Sequence, residues 1–426
     1  MTDDVETPRE LDGLAEVRQW QEELYRDLHR HPELSHRERR TAGIVADRLR
    51  RSGYEVHEGV GGTGVVGVLA GGAGPTVLLR ADMDALPVRE ATGLPYASTV
   101  VVDDAAGNQV PVMHACGHDV HVASLLGAAH LLAERADRWG GTVVALFQPA
   151  EELGDGARAM VADGLADVVP AVDVALAQHV LPLPAGTVGT RTGPVLSTAA
   201  SMRIVVYGRG GHGSMPQATV DPVVLAAMIV VRLQGVVSRE TAPDDFAVLT
   251  VGSIQAGSKS NIIPDSAELQ LNLRAYSERT LSHMVDAIRR IVTAECQASR
   301  SPKDPEFELF GAFPLTDNDD ALTGRVAAAF AEFFGERSVE LPRQNASEDF
   351  TDIPVAYGAP YTYWGVGGVD PARYERAAAA GRVAEDIPVN HNPAFAPVLQ
   401  PTLDTGTQAL VVAALACLTR ADEPPR

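Results

Sequence analysis

Segment 114–121 carries three histidines, one cysteine and one aspartate in eight consecutive residues. Cys116 and His118 stand two residues apart in a predicted turn that precedes a helix. Thiolate and neutral imidazole are both metal ligands. The segment therefore predicts metal or nucleophile chemistry. The alternative is a small buried cysteine beside capping and surface histidines.

Two adjacent carboxylates, Glu151 and Glu152, follow the apolar strand predicted at Thr142–Phe147. Ligands in open α/β sheets gather at the carboxyl ends of strands. Neighbouring side chains of an extended chain point to opposite sides, so we expect one carboxylate to face a metal and the other a substrate. That division suits one metal ligand and one general base. The alternative is a solvated pair before a helix N-terminus.

Two single histidines complete the set of candidate ligands. His179 follows the predicted strand Val172–Ala177, and His391 precedes the C-terminal helix. Each alone suits a structural role as well as a metal ligand. Four such groups commonly hold one zinc ion, and five with one bridging group would hold two ions about 3.5–4 Å apart. The five candidates are Cys116, His118, Glu152, His179 and His391.

The elements that must position these residues alternate between strands and helices in the first part of the chain. This alternation predicts an α/β domain with a mixed, mostly parallel sheet and flanking helices. The predicted elements are helical segments within Leu11–Arg51, strands Gly64–Leu69, Thr76–Leu79, Thr142–Phe147 and Val172–Ala177, and helices Val120–Ala133 and Ala157–Ala162.

From about Ser197 the predicted order becomes β-α-β-β-α-β, which is the split arrangement of a ferredoxin-like domain. The α/β pattern resumes afterwards with a helix at Ala321–Phe334, a strand at Pro360–Trp364 and a helix at Pro401–Leu418. We therefore expect a discontinuous catalytic-type domain at 1–192 and 313–426, with an inserted domain at 193–312. The stretch 365–388 shapes a pocket or is a surface excursion.

Composition excludes several classes of partner. Among the 426 residues, 35 are basic and 56 acidic, and the net charge of -21 repels nucleic-acid phosphates and anionic membrane surfaces. The longest apolar runs are shorter than a membrane span. Three scattered cysteines do not form a disulfide framework. The acidic N-terminus lacks the apolar region of a signal peptide. We expect a soluble, cytoplasmic protein without nucleic-acid or membrane partners.

Ordered motifs along nearly the whole chain resemble one known family. The resemblance is to the aminoacylase/carboxypeptidase superfamily of binuclear metallohydrolases, in the branch of hippurate hydrolases, N-acyl-amino-acid amidohydrolases and plant auxin-conjugate hydrolases. It implies a zinc-peptidase-like catalytic domain and an inserted ferredoxin-like lid that usually forms the dimer. The motifs are His31–Leu34, Arg80–Pro87, His114–Asp119, Gln148–Glu152, Gly210–Gly213, Asn261–Asp265, Ser347–Phe350 and His391–Pro393.

The resemblance implies a role for each catalytic-domain candidate. Two divalent ions per subunit, of zinc, manganese, cobalt or nickel, would be held by the five ligands already named, with Cys116 as the bridge. Glu151 would be the general base. Asp82 and Asp84 would orient ligands near the site. Four further residues are expected near the site. Asp119 and His121 would be partners of the ligands, and Glu348 and Asp349 would be neighbours.

The resemblance also assigns residues of the lid. His212 and Asn261 would bind the substrate and the developing oxyanion, and Arg274 would pair with the substrate carboxylate. Members of the family often have Gly-Thr where this sequence has Leu271 and Asn272. The implied lid dimer would bring His212 to the active site of the other subunit.

The function expected from these residues is metal-dependent hydrolysis of N-acyl amino acids, which are small-molecule substrates, to a carboxylic acid and a free amino acid. Glu151 would take a proton from a water and deliver it to the leaving amine. Two alternatives stay open. One is a metallo-dipeptidase or carboxypeptidase of the same superfamily, and the other is a non-catalytic metal-binding homologue. The acyl group, the amino acid and the metal stay open as well.

Overall fold

The computed structural model describes residues 11–104 and 107–420, which form two compact units. The first unit comprises the chain up to Val195, Asp317–Arg343 and the chain from Asp349. The second unit comprises Leu196–Thr316 and Gln344–Glu348. The bounds predicted for the inserted domain, 193 and 312, differ by a few residues from Leu196 and Thr316, and they leave out Gln344–Glu348.

The secondary structure consists of twenty strands and twelve α-helices within the described residues. The strands are β1 Glu55–Val60, β2 Gly64–Ala70, β3 Thr76–Asp82, β4 Val101–Asp103, β5 Gln109–Pro111, β6 Trp139–Gly140, β7 Thr142–Gln148, β8 Val174–Pro184, β9 Val188–Thr190, β10 Gly193–Leu196, β11 Thr198–Tyr207, β12 Gly211–His212, β13 Ala247–Ala256, β14 Ile262–Ile263, β15 Ser266–Ala275, β16 Glu306–Phe313, β17 Thr316–Asn318, β18 Ser338–Glu340, β19 Tyr361–Val369 and β20 Thr419–Arg420. The helices are α1 Leu14–Arg30, α2 Arg39–Arg51, α3 His118–Glu134, α4 Gly156–Ala162, α5 Leu165–Val168, α6 Pro222–Glu240, α7 Glu278–Ala298, α8 Asp320–Phe334, α9 Asp352–Tyr357, α10 Pro371–Ala379, α11 Val383–Asp386 and α12 Leu399–Cys417.

An eight-stranded sheet forms the centre of the first unit, in the order β1-β2-β7-β3-β8-β19-β9-β18. The central strands β7, β3, β8 and β19 are mutually parallel, whereas β1, β2 and the β9–β19 pair are antiparallel. Parallel strands buried on both faces are near-continuous apolar runs, and β3 and β7 fit that rule. The predicted mixed, mostly parallel sheet is confirmed.

Helix α3 lies inside the first unit rather than on its surface. Nearly every residue from His118 to Leu132 is buried, because α1, α12 and the sheet pack around it. A helix that is apolar all round belongs in a core. The main core therefore fixes the helix that begins at His118, one of the candidate ligands.

The second unit has four antiparallel strands in the order β13-β15-β11-β16, with two helices packed on them. The chain runs β11-α6-β13-β15-α7-β16, as the sequence predicts for a ferredoxin-like domain. Side chains of β11 and β15 alternate between buried and partly exposed, as expected when helices cover one face of the sheet.

Helix α6 is the only described helix long and apolar enough to cross a membrane on length and composition. Leu225, Ile229 and Leu233 instead pack into the core of the second unit. Helices that cover a sheet can have the same length and apolar composition, so these two properties are weak support for a membrane span. The outward face of α6 is apolar in its first half, where Val223, Val224, Met228 and Val231 are exposed, and polar in its second half, where Arg232, Gln234, Ser238 and Arg239 are exposed.

One boundary differs from the sequence prediction, and the structure describes one stretch whose role the sequence left open. Strand β8 does not end before His179 but continues to Pro184, because Val180 and Leu181 pair with β19. The stretch 365–388 completes β19 and then forms α10 and α11. Most residues of those two helices are exposed, while Ala377 is buried.

Candidate active site

The candidate site lies at the carboxyl ends of the central parallel strands. Asp82, the last residue of β3, is level with Gln148, the last residue of β7. In the neighbouring strand β8, Ala177 is level with Arg80 of β3, so His179 stands level with the end of β3. Side chains from three separate strands therefore meet at one edge of the sheet, where ligands bind in such folds.

Cys116 and His118 reach the site because α3 begins abruptly at His118. Gly117 precedes the helix with φ of 85°, and a Cβ there would lie 2.4 Å from Val180 Cγ1. Only glycine tolerates both the left-handed backbone and the close approach. The turn places Cys116 Sγ 3.4 Å from His179 Nε2.

The His118 ring is oriented by Asp84. Its Nδ1 lies 3.2 Å from Asp84 Oδ1, which accepts that hydrogen bond. Its buried Nε2 has no hydrogen-bond partner among the described residues and lies 3.9 Å from both Glu151 Oε2 and Glu152 Oε1. A histidine whose Nδ1–H is held by a carboxylate presents the Nε2 lone pair, which is the usual arrangement of a metal ligand.

His179 has the same orientation through a different acceptor. Its Nδ1 donates to the carbonyl oxygen of Val180 at 2.8 Å, so Nε2 faces Cys116. Burial lowers the pKa of His179 well below its ordinary value, which keeps the ring neutral. A neutral imidazole whose Nε2 faces a thiol is competent to bind a metal.

Glu151 and Glu152 lie in a single 3-10 turn, Glu151–Leu153, not in extended chain. The prediction that their side chains face opposite sides is therefore wrong. A tight turn follows directly after β7 because Ala150 adopts φ of 49°, and both carboxylates then lie near His118. Asp84 Oδ2 accepts the backbone N–H of Glu152 at 3.0 Å, which fixes the turn to the end of β3.

His391 comes to the site on the loop before α12. Its Nε2 lies 3.2 Å from Glu152 Oε2, and its backbone N–H donates to the carbonyl oxygen of Ala115 at 2.8 Å. The neighbouring Asn390 donates through Nδ2 to the carbonyl oxygens of Cys116 and Val180 at 3.1 and 3.2 Å. One loop therefore ties together the segments that carry Cys116, His179 and His391.

Four of the five predicted ligands lie in two overlapping groups of potential ligand atoms, and His179 lies beside them. Cys116, Glu152 and His391 form one group of potential ligand atoms within 4.8 Å of one another, and His118 joins Glu151 and Glu152 in a second. His179 contacts Cys116 and also clusters with Asp82 and His118. Glu152 belongs to both groups, so the two groups adjoin.

His121 lies beside these residues but is not free to bind a metal. Its Nδ1 donates to Asp82 Oδ1 at 2.5 Å, and its Nε2 accepts the backbone N–H of Val180 at 2.8 Å. Both nitrogens are engaged, so His121 braces β8 against β3. Burial opposes ionisation of Asp82, but His118, His121 and Arg80 hold the pKa of Asp82 well below its ordinary value.

The electrostatics of the site fit a cation. Burial and then Glu152 and Glu151 raise the pKa of the Cys116 thiol well above its ordinary value. Burial disfavours a charged His118, yet Asp82, Asp84 and Glu152 outweigh it and raise the pKa of His118 to about 10. The same carboxylates would attract a divalent ion, and thiolate, imidazole and carboxylate are ligands of zinc-like ions. The donor set and the partnerless His118 Nε2 and Glu152 Oε1 therefore fit a metal centre.

Two of the predicted neighbours, Asp349 and Asp119, support the site, and two further residues were not singled out from the sequence. Asp349 accepts from Gln148 Nε2 at 2.6 Å and from the backbone N–H of Ala157 at 3.0 Å, which anchors both sides of the turn. Asp119 pairs with His29 at 2.6 Å rather than with a candidate ligand. Glu38 and Asn390 were missed. Their only signals are a carboxylate at the start of α2 and an amide next to His391.

The second unit brings His212 and Asn261 together. His212 of β12 pairs with Ile262 of β14, and Gly213 donates its N–H to the carbonyl oxygen of Asn261 at 2.9 Å. His212 is exposed, and its Nδ1 accepts the backbone N–H of Ser214 at 3.1 Å. The proton of the neutral ring is therefore on Nε2, which makes that atom a donor.

Arg274 makes its contacts in another part of the second unit. Its Nε donates to Asn272 Oδ1 at 3.2 Å, and its Nη1 donates to the carbonyl oxygen of Asn345 and to Ser347 Oγ at 2.7 and 3.1 Å. Burial lowers the pKa of Arg274, and no carboxylate of residues 11–104 or 107–420 pairs with it. A half-buried guanidinium without an acidic partner is suited to an anionic ligand.

The chain is similar in sequence and in structure to known proteins. Residues 78–392 match the profile of peptidase family M20/M25/M40. The chain is 38% identical over 359 residues to thermostable carboxypeptidase 1 of Saccharolobus solfataricus, covering 83% of this chain and 87% of that protein. It is 38% identical over 335 residues to hippurate hydrolase of Campylobacter jejuni, covering 77% and 83%. The solved structure of the Bacillus subtilis YXEP protein, a dinuclear metal binding peptidase, matches with a TM-score of 0.75 at 29% identity, over 95% of this chain and 99% of that one.

Proposed function

The chain belongs to peptidase family M20/M25/M40, and we propose that it hydrolyses the amide bond of N-acyl amino acids to a carboxylic acid and a free amino acid. Membership makes it a metal-dependent amidohydrolase or peptidase. The single observation that carries the proposal is the buried Glu151 beside Nε2 of His118 and Oε1 of Glu152, two buried atoms without a hydrogen bond to any described residue.

We propose that Cys116, His118, Glu152, His179 and His391 hold two divalent ions, with Cys116 as the bridge. The Nδ1 hydrogen bonds of His118 and His179, which leave Nε2 available on both rings, support these roles. Divalent ions at such a site would lower the pKa of a bound water to about 7, so that a nucleophile is available at neutral pH.

Glu151 is the proposed general base. It takes a proton from the attacking water and later delivers it to the nitrogen of the leaving amine, a contribution worth roughly 10²–10⁴-fold. Two facts support it: Glu151 is buried, and the adjacent Glu152 instead contacts His391 at 3.2 Å. The pair thus separates a proton carrier from a metal ligand within one turn.

His212 is the proposed donor to the oxyanion that forms on the scissile carbonyl. The hydrogen bond from Ser214 N–H to Nδ1 supports this role, because it leaves the Nε2 proton available to donate. Asn261, whose backbone accepts from Gly213, is the proposed neighbour at the same substrate group.

Arg274 is the proposed partner of the substrate carboxylate. Asn272 stands where members of the family often have threonine, and its Oδ1 accepts from Arg274 Nε at 3.2 Å. The departure from the family pattern at Asn272 is therefore compatible with an Arg274 guanidinium that is held in place.

A homodimer through the second unit is proposed as well. The exposed edge strand β16, with Leu309 and Phe310 outward, and the exposed apolar face of α6 support it, since exposed apolar edges favour pairing. In that dimer His212 would serve the partner's active site. The test mixes Glu151→Gln and His212→Ala subunits under exchange. Roughly a quarter of wild-type activity returns if His212 acts across a two-fold dimer, and none returns if it acts within its own subunit.

A second candidate function is hydrolysis of peptides from the carboxyl end. The relative named thermostable carboxypeptidase 1 favours it, and a peptide presents Arg274 with the same terminal carboxylate. The two functions differ in what precedes the scissile amide, an acyl group without charge or a residue with an amino group.

The deciding experiment is a substrate panel with purified protein and added Zn²⁺, Mn²⁺, Co²⁺ or Ni²⁺. The panel contains N-acetyl, N-benzoyl and indole-acetyl amino acids together with dipeptides. Higher kcat/KM for an N-acyl amino acid than for any dipeptide supports the proposal. Preference for dipeptides would assign the chain to the peptidases, and no hydrolysis with any ion would favour a non-catalytic homologue.

A further inference from the structure

We propose that Glu38 is a positioning residue for the turn that carries Glu151 and Glu152, an inference that rests on the proposed function. Glu38 stands just before α2 and is fully buried. Its Oε1 accepts the backbone N–H of Ala150 at 2.9 Å, across 112 residues of sequence. Ala150 is the residue immediately before Glu151.

The backbone at Ala150 is strained. Its φ of 49° and ψ of 40° lie in the left-handed region, which residues with a Cβ rarely adopt. Such a conformation persists only where surrounding contacts over-determine it. Within the described chain, the hydrogen bond to Glu38 is the contact that holds the Ala150 N–H itself.

Glu38 has further bonds that fix its own position. Its Oε1 also accepts the backbone N–H of His36, and its Oε2 accepts from Thr63 Oγ1 at 2.6 Å. His36 has a positive φ of 63° as well. The Glu38 carboxylate thus accepts hydrogen bonds from Ala150 and His36, both with positive φ, and from Thr63 in the turn before β2. These bonds restrict its movement.

The turn is held from both sides by buried carboxylates. Glu38 accepts the N–H of Ala150, and Asp84 accepts the N–H of Glu152 two residues later at 3.0 Å. Glu151 lies between these two anchors, so its carboxylate direction depends on both. Loss of the Glu38 anchor would let the left-handed residue relax and turn Glu151 away from His118.

This argument predicts an interaction between positions 38 and 150. Glu38→Ala removes the acceptor, and a displacement of about 1 Å of a reacting group can lower kcat about 10²-fold. Ala150→Gly removes the strain, because glycine adopts a positive φ without steric cost. In the Glu38→Ala background the glycine should therefore restore kcat at least about tenfold. In the wild-type background the same substitution should change kcat less than about threefold.

Glu38→Gln is the conservative control, because it keeps Oε1 as an acceptor for Ala150 and His36 while its amide NH2 donates to Thr63 Oγ1 in place of accepting from it. It should retain most of the activity that Glu38→Ala loses. A kcat as low in Glu38→Gln as in Glu38→Ala would overturn the proposal, since the charge rather than the acceptor would then matter. If Glu38→Ala does not fold, the cycle is run with Glu38→Asp, which shortens the side chain.

The wild type, Glu38→Ala, Ala150→Gly and the double variant are also compared for Co²⁺ affinity by competition with a chelator. Affinity is a second readout because Glu152, a proposed ligand, lies in the same turn. Glu38→Ala should weaken binding about tenfold, and Ala150→Gly should recover it. Equal effects of Ala150→Gly in both backgrounds, in kcat and in affinity, would overturn the role of Glu38. A wild-type protein that cleaves no amide would contradict the proposed function alone, because the affinity cycle still measures the anchoring of the turn.

Discussion

Asp84 holds His118 and Glu152 at the same time. Its Oδ1 accepts from His118 Nδ1 at 3.2 Å, and its Oδ2 accepts the backbone N–H of Glu152 at 3.0 Å. One carboxylate thus sets the direction of a candidate imidazole ligand and the position of a candidate carboxylate ligand. Ser35 Oγ donates to the same Oδ2 at 2.7 Å.

Asp84→Ala is expected to weaken metal binding about 10–100-fold, because residues that orient metal ligands typically contribute that much. Metal affinity is measured by chelator competition on purified protein. Ser35→Ala is the matched control, since it removes one hydrogen bond from Asp84 and leaves those to His118 and Glu152. Equal losses in both variants would contradict the specific role of Asp84.

Cys116→Ala is expected to lower metal content as well as activity, because the proposed bridging thiolate contacts both ions. The measurement is metal analysis of the purified variant after dialysis. Cys417→Ala is the control, because Cys417 is also a buried free cysteine but lies in the last turn of α12. Two ions per chain bound to Cys116→Ala with wild-type affinity would rule out the ligand role.

Arg274→Ala is expected to abolish the preference for a free carboxylate. In the wild type, kcat/KM for a substrate with a free carboxylate should exceed kcat/KM for the corresponding carboxamide by about 10²-fold. A charge-assisted hydrogen-bonded pair contributes about 1.5–3 kcal/mol. The control is Arg203→Ala, which removes an arginine of β11 paired with Glu268 at 2.7 Å. An acid-to-amide ratio that is unchanged in Arg274→Ala would remove this residue from the substrate site.

His29 provides a pH-dependent test of the fold beneath the site. Burial opposes its charge, but Asp119 and Glu90 outweigh burial and raise the pKa of His29 to about 10. A raised pKa stabilises the native state fully below the unfolded pKa, about 6.5, and this contribution is lost as pH rises through the folded pKa.

His29→Gln should therefore reduce the free energy of unfolding by about 3 kcal/mol at pH 6, and by much less at pH 10.5. Urea denaturation of metal-free protein at the two pH values measures the difference. His31→Gln, at an exposed histidine two residues away, controls for general effects of alkaline pH. A destabilisation that is the same at both pH values would show that His29 is not charged.

The fold class and the family were predictable from the sequence, and both are confirmed. Apolar runs such as Thr142–Phe147 identify buried parallel strands, and the change of rhythm near Ser197 identifies the ferredoxin-like unit. These features are local, so periodicity reports them.

Features that depend on distant contacts were not predictable. Strand β8 extends past His179 because β19, from the far end of the chain, pairs with it. The segment at Glu151 was predicted as extended chain but forms a turn. The turn depends on the left-handed Ala150, whose N–H is held by Glu38 across 112 residues. Asn390 likewise reaches Cys116 across 274 residues. Such hydrogen bonds leave no periodic signal in the sequence.

The central claim is that the adjacent carboxylates have separate tasks, Glu151 as base and Glu152 as metal ligand. The most direct measurement compares kcat and metal stoichiometry in Glu151→Gln and Glu152→Gln. We predict that Glu151→Gln keeps its metal and loses kcat by a factor of about 10² or more, while Glu152→Gln loses metal. Glu151→Gln with kcat within about tenfold of wild type, or with its metal lost to the extent seen in Glu152→Gln, would contradict the account.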